Sequence, residues 1–190
     1  DEGRCGVDEP AQLHRAGCLV KGPREAVGRV PASARFVDRE ILPQAVKLQA
    51  EVQSSQGAPK AVNALGVLYA RYGLFDEAER HFQACLAKTE YVPALINIGN
   101  IQYKAKNLEK AQVWFERAYK ADPDNALAIL YLARVNHDGE NYGLVRKLYA
   151  ELQKRSPSLA TQFAYLDLRG EEAARAADVR AVKETIVWAE

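Results

Sequence analysis

An all-α architecture, a solenoid of antiparallel helix pairs with a terminal capping pair, is predicted by three observations. Small residues recur at Gly66, Gly99 and Ala133, in steps of 33 and 34. Four further columns keep that register: Ala78, Ala111 and Val145; Phe82, Phe115 and Tyr149; Cys85, Ala118 and Leu152; and Pro123 with Pro157. Between these landmarks apolar residues follow helical rather than strand spacing, and glycine, asparagine and proline fall where paired helices must end.

The elements follow in order. Residues 1–34 carry Gly3, Gly6, Pro10, Gly17, Gly22, Pro23, Gly28 and Pro31 without a sustained period, so they form an irregular N-terminal arm. Residues 35–58 hold an N-terminal helix and turn. Its apolar set is Val37, Ile41, Leu42, Ala45, Val46, Leu48 and Val52; Pro43 requires that the first turn lie close by, and "SSQGAP" ends the element.

Residues 59–159 contain three repeats of two helices each. Breaks at Tyr72-Gly73, Lys106-Asn107 and Gly139-Glu140-Asn141 separate the paired helices, while Asp122-Pro123-Asp124-Asn125 and Ser156-Pro157-Ser158 separate repeats. Residues 160–190 are expected to form a degenerate repeat of capping helices. The first would end near Gly170; the second would carry Val179, Val182 and Ile186 on one stripe, with Arg175, Asp178, Arg180, Lys183 and Glu184 on its polar face and Trp188 as the exception.

Within "NALGVLYARYGLFDEAERHF", Gly66 gives up about 1 kcal/mol of helix propensity against alanine. Small residues facing Ala78, Ala111 and Val145 let helix axes approach, and each aromatic can wedge against the next unit. This arrangement of Leu-Gly, Ala, an aromatic and Pro at fixed offsets resembles the tetratricopeptide repeat (TPR), most clearly from Pro59 to Leu159. The first repeat departs from the pattern with Glu90 in place of proline. The third departs with Ala133 for glycine and Asn136 for tyrosine.

The resemblance implies that the first helix of each pair lines a concave face. That assignment selects Asn63, Val67 and Arg71; Ile96, Asn97, Asn100, Tyr103 and Lys104; Leu127, Leu130, Tyr131, Arg134 and His137; with Tyr165 as an extension. Amides there can bond an extended peptide backbone, cations can pair carboxylates, and aromatics can bury apolar side chains. The candidate partner-binding residues are accordingly Asn63, Arg71, Asn97, Asn100, Tyr103, Lys104, Tyr131 and Arg134. An equally simple reading makes the asparagines solvated and the tyrosines packed within the curve. TPR domains that clamp acidic chaperone tails use paired Lys, Asn and Arg; here only Asn97 fits, so that ligand is not expected.

Other functions find little support. Lys plus Arg at 26 against Asp plus Glu at 25 gives a net charge of +1, which argues against an electrostatic nucleic-acid or membrane binder. No apolar run approaches the roughly 18 residues of a transmembrane helix. His14, His81 and His137 stand beside no nucleophile, and neither Gly-x-Ser-x-Gly nor a phosphate-binding loop occurs, so no catalytic residue is assigned. Cys5, His14 and Cys18 match no zinc spacing, and no metal or other cofactor is expected; a Cys5–Cys18 disulfide is the better reading in an oxidising compartment. Cys85 sits in a core column. Beginning at Asp1 without any methionine, the chain reads as a processed or truncated piece.

These observations predict a non-enzymatic module that binds a partner protein or extended peptide on its concave face. The alternative is a scaffold that self-associates, or packs on an upstream domain, through Trp188 or the N-terminal arm. The region from Phe36 onward also resembles TPR regions of exported bacterial proteins, some preceded by a transglutaminase-like domain. That resemblance implies a periplasmic or envelope location, with the cytoplasm as the alternative.

Overall fold

A computed structural model describes residues 41–167 and 184–190. Among them every regular element is helical. Helix α1 is Leu42–Ser54, and three pairs follow: α2 (Pro59–Arg71) with α3 (Phe75–Leu86), α4 (Val92–Lys104) with α5 (Leu108–Ala121), and α6 (Ala126–Asp138) with α7 (Tyr142–Arg155). A short helix α8 (Pro157–Gln162) and a 3-10 turn over Ala164–Asp167 come next. Each helix packs on the one before it, and each first helix also touches its counterpart in the neighbouring repeat. The helix pairs and breaks agree with the expected repeat, and Pro43 lies in the first turn of α1. The arm and the first part of the expected N-terminal helix, residues 1–40, lie outside the described residues, as do Cys5, His14 and Cys18.

One device closes every helix that turns back within a repeat. The backbone N–H of Gly73 donates to Ala70 O and that of Leu74 to Tyr69 O; Lys106 and Asn107 repeat this on Tyr103 and Gln102, and Glu140 and Asn141 on His137 and Asn136. These paired bonds define a Schellman closure, which requires one residue in the left-handed region. Gly73 meets that requirement with φ 78°, but Lys106 and Glu140 adopt φ 63° and 60° with side chains present. A left-handed L-residue costs roughly 1–2 kcal/mol. Helix starts are marked by Pro59, Pro93 and Pro157 in first turns, and at α6 by the Asn125 side chain, which accepts from the N–H groups of Leu127 and Ala128 at 3.1 and 3.3 Å.

The recurrent glycines admit a ring from their own repeat. A Cβ placed on Gly66 would lie 2.6 Å from Phe82 Cε1, and one on Gly99 would lie 2.4 Å from Phe115 Cε1. The wedge across repeats also exists, since Phe115 stacks on Tyr131 of the next unit with centroids 5.2 Å apart. Tyr149 closes the third repeat on α8 by donating to Ala160 O at 2.9 Å. Glu90, the departure from the expected proline, pairs with Arg117 at 2.7 Å. Cys85 is fully buried, with burial pushing its thiol pKa up to about 11, as a core position requires. His81 stacks on Tyr69 at 5.4 Å, and burial lowers its pKa.

The last six residues depart from the expected second capping helix. Gly170, Arg175, Asp178, Val179, Arg180, Val182 and Lys183 fall outside the described residues, but Thr185–Glu190 is described and is not helical. Ile186 therefore sits on no helical stripe. Trp188, expected as the exposed exception on a cap, is half-buried against the core of the first repeats. The local physics agrees: Thr185, Ile186, Val187 and Trp188 form a run of β-branched and aromatic residues that favours extended backbone. No described helix is long and apolar enough to cross a membrane.

Candidate functional site

Helices α2, α4 and α6 carry an unusual set of buried polar side chains: Asn63, Asn97, Asn100 and Arg134 are all fully buried. Buried amides and cations are tolerated only with partners. The partner is the backbone of Thr185–Glu190, which runs along this face from the third repeat toward the first.

Asn97 meets this segment with both ends of its amide. Its Nδ2 donates to Ala189 O and its Oδ1 accepts from the Ala189 N–H, each at 2.8 Å. One carboxamide thus presents to Ala189 the donor and acceptor that a neighbouring β-strand would present. Tyr131 does the same with one hydroxyl, accepting from the Val187 N–H at 2.6 Å and donating to Val187 O at 2.9 Å. Asn63 adds a second donor to Ala189 O at 2.8 Å, and its Oδ1 accepts from Asn97 Nδ2 at 3.0 Å. Asn100 Nδ2 reaches Val187 O at 3.3 Å, and Arg134 Nη1 donates to Thr185 O at 2.8 Å.

The register has a simple arithmetic. Asn97 and Tyr131 lie 34 residues apart and contact Ala189 and Val187; Asn100 and Arg134, also 34 apart, contact Val187 and Thr185. One repeat therefore corresponds to two residues of the segment. In an extended chain the N–H and C=O of one residue point to the same side and those of its neighbours to the other. All these bonds fall on odd-numbered residues, so the groove holds one edge of the segment.

Arg134 is anchored by aromatics as well. Its guanidinium carbon lies 5.2 Å from the Tyr103 and Tyr131 ring centroids and 5.1 Å from that of Phe163. Burial opposes its charge, but the surrounding oxygens of Tyr165, Tyr103 and Tyr131 outweigh this and raise its pKa. Burial also raises the phenols: Tyr103, whose hydroxyl donates to Asp138 Oδ2 at 2.5 Å, Tyr131, and Tyr165, pushed up to about 12. Every phenol of this cage is neutral at physiological pH.

Of the residues selected from the sequence, Asn63, Asn97, Asn100, Tyr131 and Arg134 meet the segment's backbone, and Arg71 forms an ion pair with the Glu190 side chain. Tyr103 and Lys104 do not bond it; with Lys106, Glu184 and Ile186 they line an open cavity of about 270 Å³ beside its entry. Lys104 also lies over the Phe75 ring at 5.9 Å. His137 turns inward, edge-on to Tyr142 and Tyr165. Sequence reasoning missed Phe163 and Asp138, whose roles depend on the fold, and missed the segment itself. The β-prone run was the available signal.

Stacked helix pairs in a repeating register define a helical-repeat solenoid. Residues 92–125, spanning α4, α5 and the link that follows, match the family model of the tetratricopeptide repeat, and the consecutive helix pairs on both sides fit the same repeat. Such repeats serve in general as non-catalytic protein-interaction modules. No curated protein matches the chain. Among the described residues no cluster of histidine, cysteine or carboxylate side chains could hold a metal ion.

Proposed function

We propose that the concave face binds an extended segment of a partner protein, held chiefly through its backbone. The bidentate contact of Asn97 with Ala189 carries this reading, because it recognises a peptide unit with no regard to the side chain attached. Tyr131 supports it by offering donor and acceptor to the next odd-numbered residue. Backbone recognition of this kind supplies affinity, while pockets for alternate side chains supply choice. The site residues proposed are Asn63, Asn97, Asn100, Tyr131 and Arg134, with Arg71 for an acidic side chain.

The test is an array of immobilised random heptapeptides probed with the full chain and with a variant carrying Asn63→Ala and Asn100→Ala. The expected result is capture of a subset of peptides by the native chain and its loss in the variant, with helical content and thermal midpoint followed in parallel. Capture of the same peptides by both proteins would overturn the concave-face reading.

A further inference from the structure

We infer that Thr185–Glu190 is a resident pseudo-ligand of the groove, and that the partner is a segment of the same pattern which must displace it. This inference rests on the reading of the concave face as a site for extended backbone. Three observations carry it. The backbone of the segment pairs with buried polar groups of the face, through bonds at Asn63, Asn97, Asn100, Tyr131 and Arg134. Its register matches the repeat, two residues per unit. Its side chains fit in sequence: Ile186 and Val187 pack on the core that includes the third repeat, Trp188 on that of the first two, Ala189 is buried, and Glu190 meets Arg71.

These fits describe the partner chemically. It is an extended segment with apolar residues where Ile186, Val187 and Trp188 lie, a small residue over Asn97, and a carboxylate at Arg71. Arg71 stands at one end of the face and Arg134 at the other, so the carboxylate end is directed to the first repeat. Because the resident copy belongs to the same chain, it competes as a tethered ligand, with an effective concentration far above that of most free partners. A free segment then binds with an affinity reduced by the fraction of chains whose groove is open.

The experiment measures binding of a fluorescein-labelled peptide, Glu-Thr-Ile-Val-Trp-Ala-Glu, by fluorescence anisotropy. The full chain is compared with a full-length variant carrying Val187→Pro and Ala189→Pro, which removes both backbone donors of the resident segment and leaves the repeats intact. The expected result is binding to the proline variant about tenfold or more tighter than to the native chain, abolished when Asn97→Ala is added. Equal affinity for both chains, still lost with Asn97→Ala, overturns the pseudo-ligand while the groove reading stands. Absence of binding to the proline variant, or binding indifferent to Asn97, overturns the groove reading and the inference with it. A second measurement requires no variant: within the segment the amides of Val187 and Ala189 should exchange slowest, and uniform fast exchange across 185–190 would show that the segment does not occupy the groove.

Discussion

Replacing Asn97 by aspartate changes one atom of a side chain that is fully buried, and converts two attractions into repulsions. The native Nδ2 donates to Ala189 O at 2.8 Å and to Asn63 Oδ1 at 3.0 Å. In Asn97→Asp both contacts become oxygen facing oxygen. Ala189 O keeps the Asn63 donor, so the losses are two hydrogen bonds worth about 0.5–1.5 kcal/mol each and an orphaned Asn63 Oδ1 worth roughly 1–3 kcal/mol. Burial of the carboxylate adds to this until the segment leaves and water enters. A net loss of about 2–6 kcal/mol from the closed arrangement corresponds to roughly a 30- to 20,000-fold rise in opening. The assay is amide exchange at Val187 and Ala189 at neutral pH. Acid should restore closure: the closed state raises the aspartate pKa above its open value near 4, so the penalty is absent below that pH and grows as pH rises through the closed-state pKa. Protection at Val187 and Ala189 unchanged within about threefold at pH 7 would refute the reasoning.

Gly99→Ala should destabilise the fold by about 1–3 kcal/mol in urea titration despite its gain in helix propensity, since the new Cβ meets the fully buried Phe115 ring. Gly143→Ala, with open space around it in α7, should be neutral or stabilising by up to about 1 kcal/mol; a loss of stability comparable to that of Gly99→Ala would remove the steric explanation. Lys106→Gly should stabilise by up to about 1 kcal/mol by relieving a left-handed residue, while a clear loss in thermal midpoint would show that Lys106 makes a stronger contribution than its backbone geometry reveals. Stability should fall above pH 10 as Tyr103, Tyr131 and Tyr165 resist ionisation in the folded state: with folded pKa values raised, their contribution is complete below the unfolded value near 10 and is lost as pH climbs toward the folded ones, Tyr165 at about 12. An unfolding free energy independent of pH between about 9 and 12 would contradict that cage.

The repeats were legible because their signals are local and recurrent. Gly66 and Gly99 announce a ring that needs their missing Cβ, and the breaks at Gly73, Lys106 and Glu140 announce helix closures. At the first of these the residue type is itself the signal. At Lys106 and Glu140 it is not, and the flanking Asn107, Gly139 and Asn141 together with the repeat period locate the turn. The shared face of α2, α4 and α6 was legible for the same reason, since a residue's place in the repeat fixes the face it occupies. What could not be read was the occupant. Residues 185–190 contain polar and apolar residues compatible with a helical stripe, and their non-helical state depends on amides about 90 to 125 positions earlier in the chain. Tertiary hydrogen bonds decided the conformation, and the β-prone run from Thr185 to Trp188 was the one local sign of it. Arg134 shows the same limit. Its place on the face follows from spacing, whereas the cage of Tyr103, Tyr131 and Phe163 that holds it draws on three separate elements.

The match of one repeat to two residues also limits what the groove can hold. Packed helices commonly stand about 8–10 Å apart, whereas two extended residues span only about 6.6–6.8 Å. Side chains of different length can take up the difference here: a short amide at Asn97 reaches Ala189, while the longer phenol of Tyr131 and the guanidinium of Arg134 reach back to Val187 and Thr185. Such compensation works across two repeats and accumulates error across more. In the first repeat the places equivalent to Asn97 and Asn100 hold Ala64 and Val67, which offer no hydrogen bond, and Asn63 instead doubles the contact to Ala189. On the proposed function the groove therefore suits a short segment of about six residues, held by Asn97 and Tyr131 and finished at its ends by two arginines of different character. Buried Arg134 takes a backbone carbonyl, whatever the side chain. Exposed Arg71 takes a carboxylate and contributes little energy in water, so its part is to set the direction in which the segment lies.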